Sequence, residues 1–310
     1  MRVLLTGCTG YLGRVLLERM MRAGSEGYLP ELFLRDGEGS GRSLAAATGL
    51  PAIEERELDA GKLRGRQYEA IIHLASSRSS TDLSSQARSL ELTQKLISAS
   101  LEAGIQKFVL ASSQAVYGMS PPVWCESRSV APASLYGLAK RAKELMCAAA
   151  GGGYVALRFA KLVGPSPQFR VDASELPHVL VAKSLESSPV VLQRPDQRLD
   201  LLDVRDAAEA ILAVIQCQSL HLGVLNVGAG EHVTAKVVAE VVAGVALEKG
   251  LRLDYRLSPV TRPSRAFGMS IDRISELVGW KPSIRLEKTV SDVFDSAREF
   301  GCMDLHGFYR

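Results

Sequence analysis

The sequence predicts an α/β protein, a doubly wound parallel sheet joined to a smaller C-terminal lobe. Three observations carry this. Short, continuous apolar runs alternate with helical patterns, a glycine-rich turn links the first run to the first helix, and the texture changes after Gly164 and Pro165. Arg2 to Thr6 reads as a buried strand, and Leu12, Val15, Leu16 and Met20 follow at helical spacing. Glu31 to Leu34, Ala70 to Leu74, Lys107 to Ala111 and Tyr154 to Arg158 read as further strands, with a helix from about Leu90 to Ala103 among them. Unbroken apolar strands separated by helices belong to a sheet covered on both faces. Residues 1–165 are expected to form this first domain, and 166–310 mainly the second lobe, with a return to the first at about 200–228. Helices are expected over Val204 to Ile215, Thr234 to Glu248 and Leu286 to Arg298, and a strand over Gly223 to Asn226.

The bulk numbers exclude several classes. The 310 residues are 46% hydrophobic, enough for a sizeable core. Charge is nearly balanced, 37 basic against 34 acidic residues, with no concentrated basic stripe, which argues against a nucleic-acid partner. The five cysteines include no C-x-x-C pair, so neither a zinc site nor a disulfide framework is expected. No metal is expected at all. No apolar run is long enough to span a membrane, and the N-terminus opens on a strand without the apolar core of a signal peptide. A cytoplasmic location without membrane partners is the expectation.

Thr6 to Gly13 holds three glycines between the first strand and the first helix. Gly7 and Gly10 allow a tight turn and close approach of a pyrophosphate, and Gly13 lets the helix pack on the sheet. The helix N-terminus offers free N–H groups and the positive end of its dipole. In this context the triplet signals a Rossmann-type dinucleotide site, and Gly7, Thr9, Gly10, Tyr11, Leu12 and Gly13 are its expected contacts. At the end of the second strand an acidic residue would bond the adenosine ribose, whereas an arginine would pair with a 2′-phosphate. The sequence there is Leu34, Arg35, Asp36. Arg35 takes the deciding position, which favours NADP, with Arg42 as a second contact; NAD is the alternative if Asp36 reaches the ribose.

Tyr136 and Lys140 stand four apart at the start of a predicted helix, so they share one face. A free phenol titrates near pH 10, and a nearby ammonium favours the phenolate. Tyr136 is therefore the candidate proton donor and acceptor at an alcohol or ketone oxygen, with Ser113 holding the same oxygen. Two surface helix residues would show the same spacing. The glycine loop and the Ser112–Ser113 pair at a strand end argue against that reading.

With these motifs in order, the chain resembles the extended short-chain dehydrogenase/reductase family, in its NAD(P)-dependent epimerase/dehydratase branch acting on nucleotide sugars. The resemblance runs from Thr6 to Gly13 through Ile72 to Ala75, Ala111 to Gly118, Tyr136 to Lys140, Leu157 to Phe159 and Arg198 to Asp206, then Asn226 to Gly228, Arg262 to Pro263 and Val278 to Pro282. It implies catalysis by Ser113, Tyr136 and Lys140, with Lys140 also holding the nicotinamide ribose. It implies cofactor contacts from Asp59, Leu74 and Ala75, and substrate contacts from Lys161, Arg198 and Arg262. It also implies a homodimer through the helices near 90–103 and 134–149, to which Leu96, Leu145 and Met146 could contribute. Gln114 and Ala115 stand where dehydratases of the family carry Asp and Glu, so dehydration is not expected.

Two enzymatic functions compete on this basis. The leading expectation is NADPH-dependent reduction of a keto group on a nucleotide-linked sugar, a dTDP 4-keto-6-deoxy sugar above all, motivated by Arg35. The alternative is a nucleotide-sugar epimerase with tightly bound NAD, which needs the same three side chains. Reduction of a non-sugar ketone and a non-catalytic dinucleotide sensor rank lower.

Overall fold

The structure, a computed structural model, describes residues 1–299 apart from 25–26, 38, 119, 121–122, 152, 166–174, 219–221 and 261–267. The first half runs β1 (Arg2–Thr6), α1 (Tyr11–Arg22), β2 (Leu29–Leu34), α2 (Gly39–Thr48), β3 (Ala52–Glu54), α3 (Ala60–Arg66), β4 (Ala70–His73), α4 (Leu83–Ala103), β5 (Lys107–Ser113), α5 (Leu135–Ala150) and β6 (Tyr154–Phe159). The second half runs β7 (Lys161–Val163), α6 (Leu176–Leu185), β8 (Val190–Leu192), β9 (Arg198–Leu199), β10 (Leu201–Asp203), α7 (Val204–Gln216), β11 (Val224–Val227), β12 (Val233–Thr234), α8 (Ala235–Glu248), β13 (Tyr255–Leu257), α9 (Asp272–Val278) and α10 (Leu286–Glu299).

Among the described residues, seven strands form one parallel sheet in the order β11-β6-β5-β4-β1-β2-β3. The order reverses between β1 and β4, and at such a switch point the loops leave a crevice at the strand C-termini. One apolar cluster joins α1 and α7 to one face of the sheet; another joins α3 and α4 to the other. The switch point is pinned by a chain of hydrogen bonds. Thr6 Oγ1 accepts from the Ala75 amide and lies 2.7 Å from His73 Nδ1, and His73 Nε2 lies 2.8 Å from Thr93 Oγ1. Thr93 donates its own proton to the Ser89 carbonyl, so it accepts from Nε2–H, and Thr6 donates to Nδ1. Burial holds the His73 imidazole well below its usual pKa, consistent with this neutral form.

A separate core lies between α6, α8 and α10, with Leu180, Val242, Val290 and Phe294 fully enclosed. The chain returns to the sheet more than the sequence suggests. Besides α7 and β11, the segment holding Met269, Ile274 and Trp280 packs into the first core. A further difference lies in α4, which begins at Leu83, not near Leu90, with Asp82 accepting the Ser85 amide at 3.0 Å. Its first two turns are polar, so no hydrophobic period announces them.

Candidate active site

The cavity at the switch point has a volume of about 800 Å³ and extends from the glycine loop to Arg198, Leu199 and Asp200. Its walls come from the C-terminal ends of parallel strands: the loop after β1, Arg35 after β2, Leu74 to Ser76 and Arg78 after β4, Ser113 at the end of β5, and Lys161 after β6.

The glycine loop fits a dinucleotide. Gly7 has φ +72°, and a Cβ on it would lie 2.6 Å from the Ala75 amide nitrogen; one on Gly13 would lie 2.1 Å from the Gly7 carbonyl oxygen. Only glycine fits at either place. The helices α3, α4, α5, α7 and α8 each carry an Asp, Ser or Thr side chain over their first-turn amides. By contrast α1 starts at Gly10 without a side-chain acceptor. Its first turn thus presents amides and the positive dipole end to the cavity, where a pyrophosphate can take them. Thr9, Tyr11 and Leu12 line the same end, and the Tyr11 hydroxyl donates to the Gly164 carbonyl at 2.7 Å.

The three catalytic candidates meet where this cavity passes α5. Ser134 accepts the Gly137 amide at 3.1 Å and starts the helix there, placing Tyr136 in its first turn and Lys140 one turn deeper. Ser113 Oγ accepts the Ala115 amide and lies near enough to the Tyr136 phenol to favour its ionised form. Lys140 is buried, donates to the Ala111 carbonyl at 2.6 Å, and lies 5.6 Å from the centre of the Tyr136 ring. The electrostatics differ from the sequence expectation in one respect. Burial raises the Tyr136 pKa, and the opposing influences come from Ser113 and Arg78, not from Lys140. Lys140 is itself lowered to about 8 by burial, against the pull of Glu144. Its amine is directed to a carbonyl and the ring, not to the phenol oxygen, which is why its effect on the phenol is small.

Behind α5 lies a buried ion pair. Glu144 accepts from Arg158 at 2.9 and 2.8 Å and from Ser112 at 2.6 Å, and Arg141 reaches it from the same helix. The Arg158 guanidinium stands 4.7 Å from the centre of the Tyr117 ring, and Tyr117 donates to Asn226 Oδ1. This network fastens α5 to β5, β6 and β11.

Other expected contacts are placed differently. Arg35 lines the cavity and Asp36 does not; the Asp36 carboxylate accepts the Arg56 amide. Arg42 does not line the cavity and pairs with Glu54 at 2.8 Å. Asp59 is not among the cavity residues. Its Oδ1 caps α3 by accepting the Lys62 amide at 2.7 Å. Lys161 lines the cavity paired with Glu175, and Arg198 stands exposed at its far end beside Leu199. Arg262 lies outside the described residues. Leu96 is fully buried and Met146 packs into the core, so neither is an exposed contact; Leu145 and Leu138 are exposed on α5. Burial pushes the Cys147 thiol up to about 12, which makes it a poor nucleophile.

Two polar residues of one loop are among the cavity residues that escaped the reading of the sequence. Ser76 and Arg78 enter the cavity from the loop after β4, and Arg78 lowers the Tyr136 pKa. Their signal was a polar run directly after a strand that borders the switch point.

Similarity to known proteins agrees with this geometry. A UDP-glucose 4-epimerase from Azospirillum brasilense is 28% identical over 311 residues, covering 91% of this chain and 87% of its own. A dTDP-4-dehydro-6-deoxyglucose reductase from Escherichia coli is 23% identical over 203 residues, covering 64% and 63%. The crystal structure of UDP-glucuronic acid 4-epimerase from Bacillus cereus in complex with NAD superposes with a TM-score of 0.79 at 20% identity, covering 97% of this chain and 100% of that one. Residues 3–228 match the sequence pattern of the NAD dependent epimerase/dehydratase family, and the chain belongs to that family.

Proposed function

We propose that the chain is a nucleotide-sugar epimerase acting on a UDP-hexose, inverting one carbinol carbon by removing a hydride and returning it to the opposite face. The observation that carries this is the cavity itself, which holds Ser113, Tyr136 and Lys140 between a pyrophosphate-binding loop and a second, open end at Arg198. Support comes also from the relatives aligned over nine-tenths of the chain, which include several UDP-glucose 4-epimerases, whereas the reductase relative aligns over 64%.

In this reading the Tyr136 phenolate, which burial opposes and Ser113 and Arg78 favour, takes the proton of the sugar hydroxyl as the carbon is oxidised and gives it back after the hydride returns. Ser113 donates to the same oxygen and keeps it in line with the phenol. A bound nicotinamide supplies the hydride acceptor and donor. Lys140, cationic below about pH 8, adds positive charge beside the ring and holds the wall of the site through Ala111. Gln114 and Ala115 offer no carboxylate for eliminating water, so dehydration of the keto state is not supported. Arg198 offers a cation to the diphosphate of the substrate. The exposed Leu138 and Leu145 on α5 offer apolar contacts to a second copy.

The second reading is the NADPH-dependent ketoreductase, favoured by Arg35 lining the cavity while Asp36 turns away. The two readings separate in one experiment. The protein is incubated with UDP-glucose or UDP-glucuronic acid and the sugar product is followed by NMR. Conversion to the C4 epimer without net consumption of NAD(P)H is the expected result. Stoichiometric loss of 340 nm absorbance with a nucleotide 4-ketosugar, and no epimer from the parent sugars, would establish the reductase instead.

A further inference from the structure

We propose that Lys143 is a positioning residue whose buried amine ties the loop carrying Ser76 and Arg78 into the cavity to the helix carrying Tyr136 and Lys140. This rests on reading the cavity as the dinucleotide site, and stands whether the enzyme epimerises or reduces.

Lys143 lies three residues after Lys140 on α5 and is fully buried. Its Nζ donates to Ser89 Oγ at 2.7 Å and to Ser76 Oγ at 3.2 Å. Ser89, on α4, accepts the Ser77 amide at 3.1 Å. Ser85 donates to Ser77 Oγ at 2.7 Å, and Gln86 Nε2 donates to the Ser77 and Ser79 carbonyls at 3.2 and 2.6 Å. Residues 76–79 form neither strand nor helix. Their path is set by side chains of α4 on one side and by Lys143 on the other. Arg78 stands close enough to Tyr136 for its charge to act on the phenol, so the placement of this loop matters to the site.

No carboxylate pairs with Lys143 among the described residues, and Glu144 is occupied by Arg158, Arg141 and Ser112. The titratable groups that act on it or stand beside it are Lys140, Glu144 and Cys147 on its own helix and His73 on β4, and its hydrogen-bond partners are the uncharged Ser89 and Ser76. Burial and the Lys140 charge hold its amine at about 6, so it works uncharged at neutral pH. A neutral amine still has two N–H donors for these two hydroxyls. Its value in the unfolded chain is the ordinary one, near 10.4. Between about pH 6 and that value the unfolded chain binds the extra proton, so Lys143 costs stability, increasingly as pH falls.

This separates positioning from a purely structural role. Lys143→Met removes the buried amine, and both serine hydroxyls keep another partner. The variant should melt at or above the wild-type temperature at pH 7, with the advantage largest near pH 6 and vanishing toward pH 10. It should nevertheless bind NADH or NADPH, whichever the wild type holds more tightly, about tenfold more weakly, the upper end of what one neutral hydrogen bond is worth. Ser89→Ala, which lies off the cavity wall, should weaken binding about threefold by loosening the same loop. Fluorescence titration of the dinucleotide and thermal melts over pH 6–10 read both quantities without turnover. Wild-type affinity in both folded variants, or weakened binding only in step with a falling melting temperature, would overturn the proposal.

Discussion

Tyr136→Phe should lower turnover by about two to four orders of magnitude, the range supplied by a positioned proton donor and acceptor, while dinucleotide affinity stays within about twofold. The phenol is the group in the cavity whose ionisation Ser113 and Arg78 favour. Removing the oxygen leaves the ring, the Lys140 contact over it and the α5 capping by Ser134 in place. The loss is therefore chemical, not architectural. Steady-state kinetics with a UDP-sugar and a fluorescence titration with NADH check the two halves. Wild-type turnover in the variant would remove Tyr136 from the mechanism. A matching collapse of cofactor affinity would make its role structural.

Arg158→Met should destabilise the fold by about 3–5 kcal/mol, because Glu144 would keep its burial and lose its main cationic partner. Burial pushes the Glu144 carboxyl up, but Arg158, Ser112 and Arg141 outweigh it and hold it below the ordinary value. A depressed carboxylate contributes stability above its unfolded value and loses it as pH falls through its folded one. The gap between wild type and variant should thus be widest near neutrality and shrink on acidification, where Glu144 can take a proton. Urea unfolding at neutral and acidic pH measures this, and a gap independent of pH would contradict the assignment. Because the same ion pair fastens α5 to β6, turnover should fall with stability even though neither residue lines the cavity.

The parts of this account that were legible in the sequence are those whose physics is local. The glycine loop is a strand, a turn and a helix start within one short stretch, and Tyr136 and Lys140 share one helical turn. What was not legible depends on partners distant in sequence. The start of α4 is specified by Asp82 and by serines that bond the loop after β4, not by a hydrophobic stripe. Lys143 looks in the sequence like any helix lysine, and only the packing of α5 against α4 buries it. Asp59 was assigned through resemblance; an aspartate directly before Ala60, Gly61 and Lys62 is also a helix-capping signal, and its side chain does cap α3. Arg35 lines the cavity, but the weight it was given in favour of reduction is not matched by whole-length relatives, which include epimerases.

If one hydride is removed from and returned to the same carbon, its isotope stays with the sugar. UDP-glucose carrying deuterium at C4 is incubated with the protein and bound cofactor in unlabelled water. The account predicts a C4 epimer that keeps its deuterium on the inverted carbon, with none released to solvent. An epimer that has exchanged its label for solvent hydrogen, or no epimer at all alongside consumption of NADPH by a ketosugar, would contradict it.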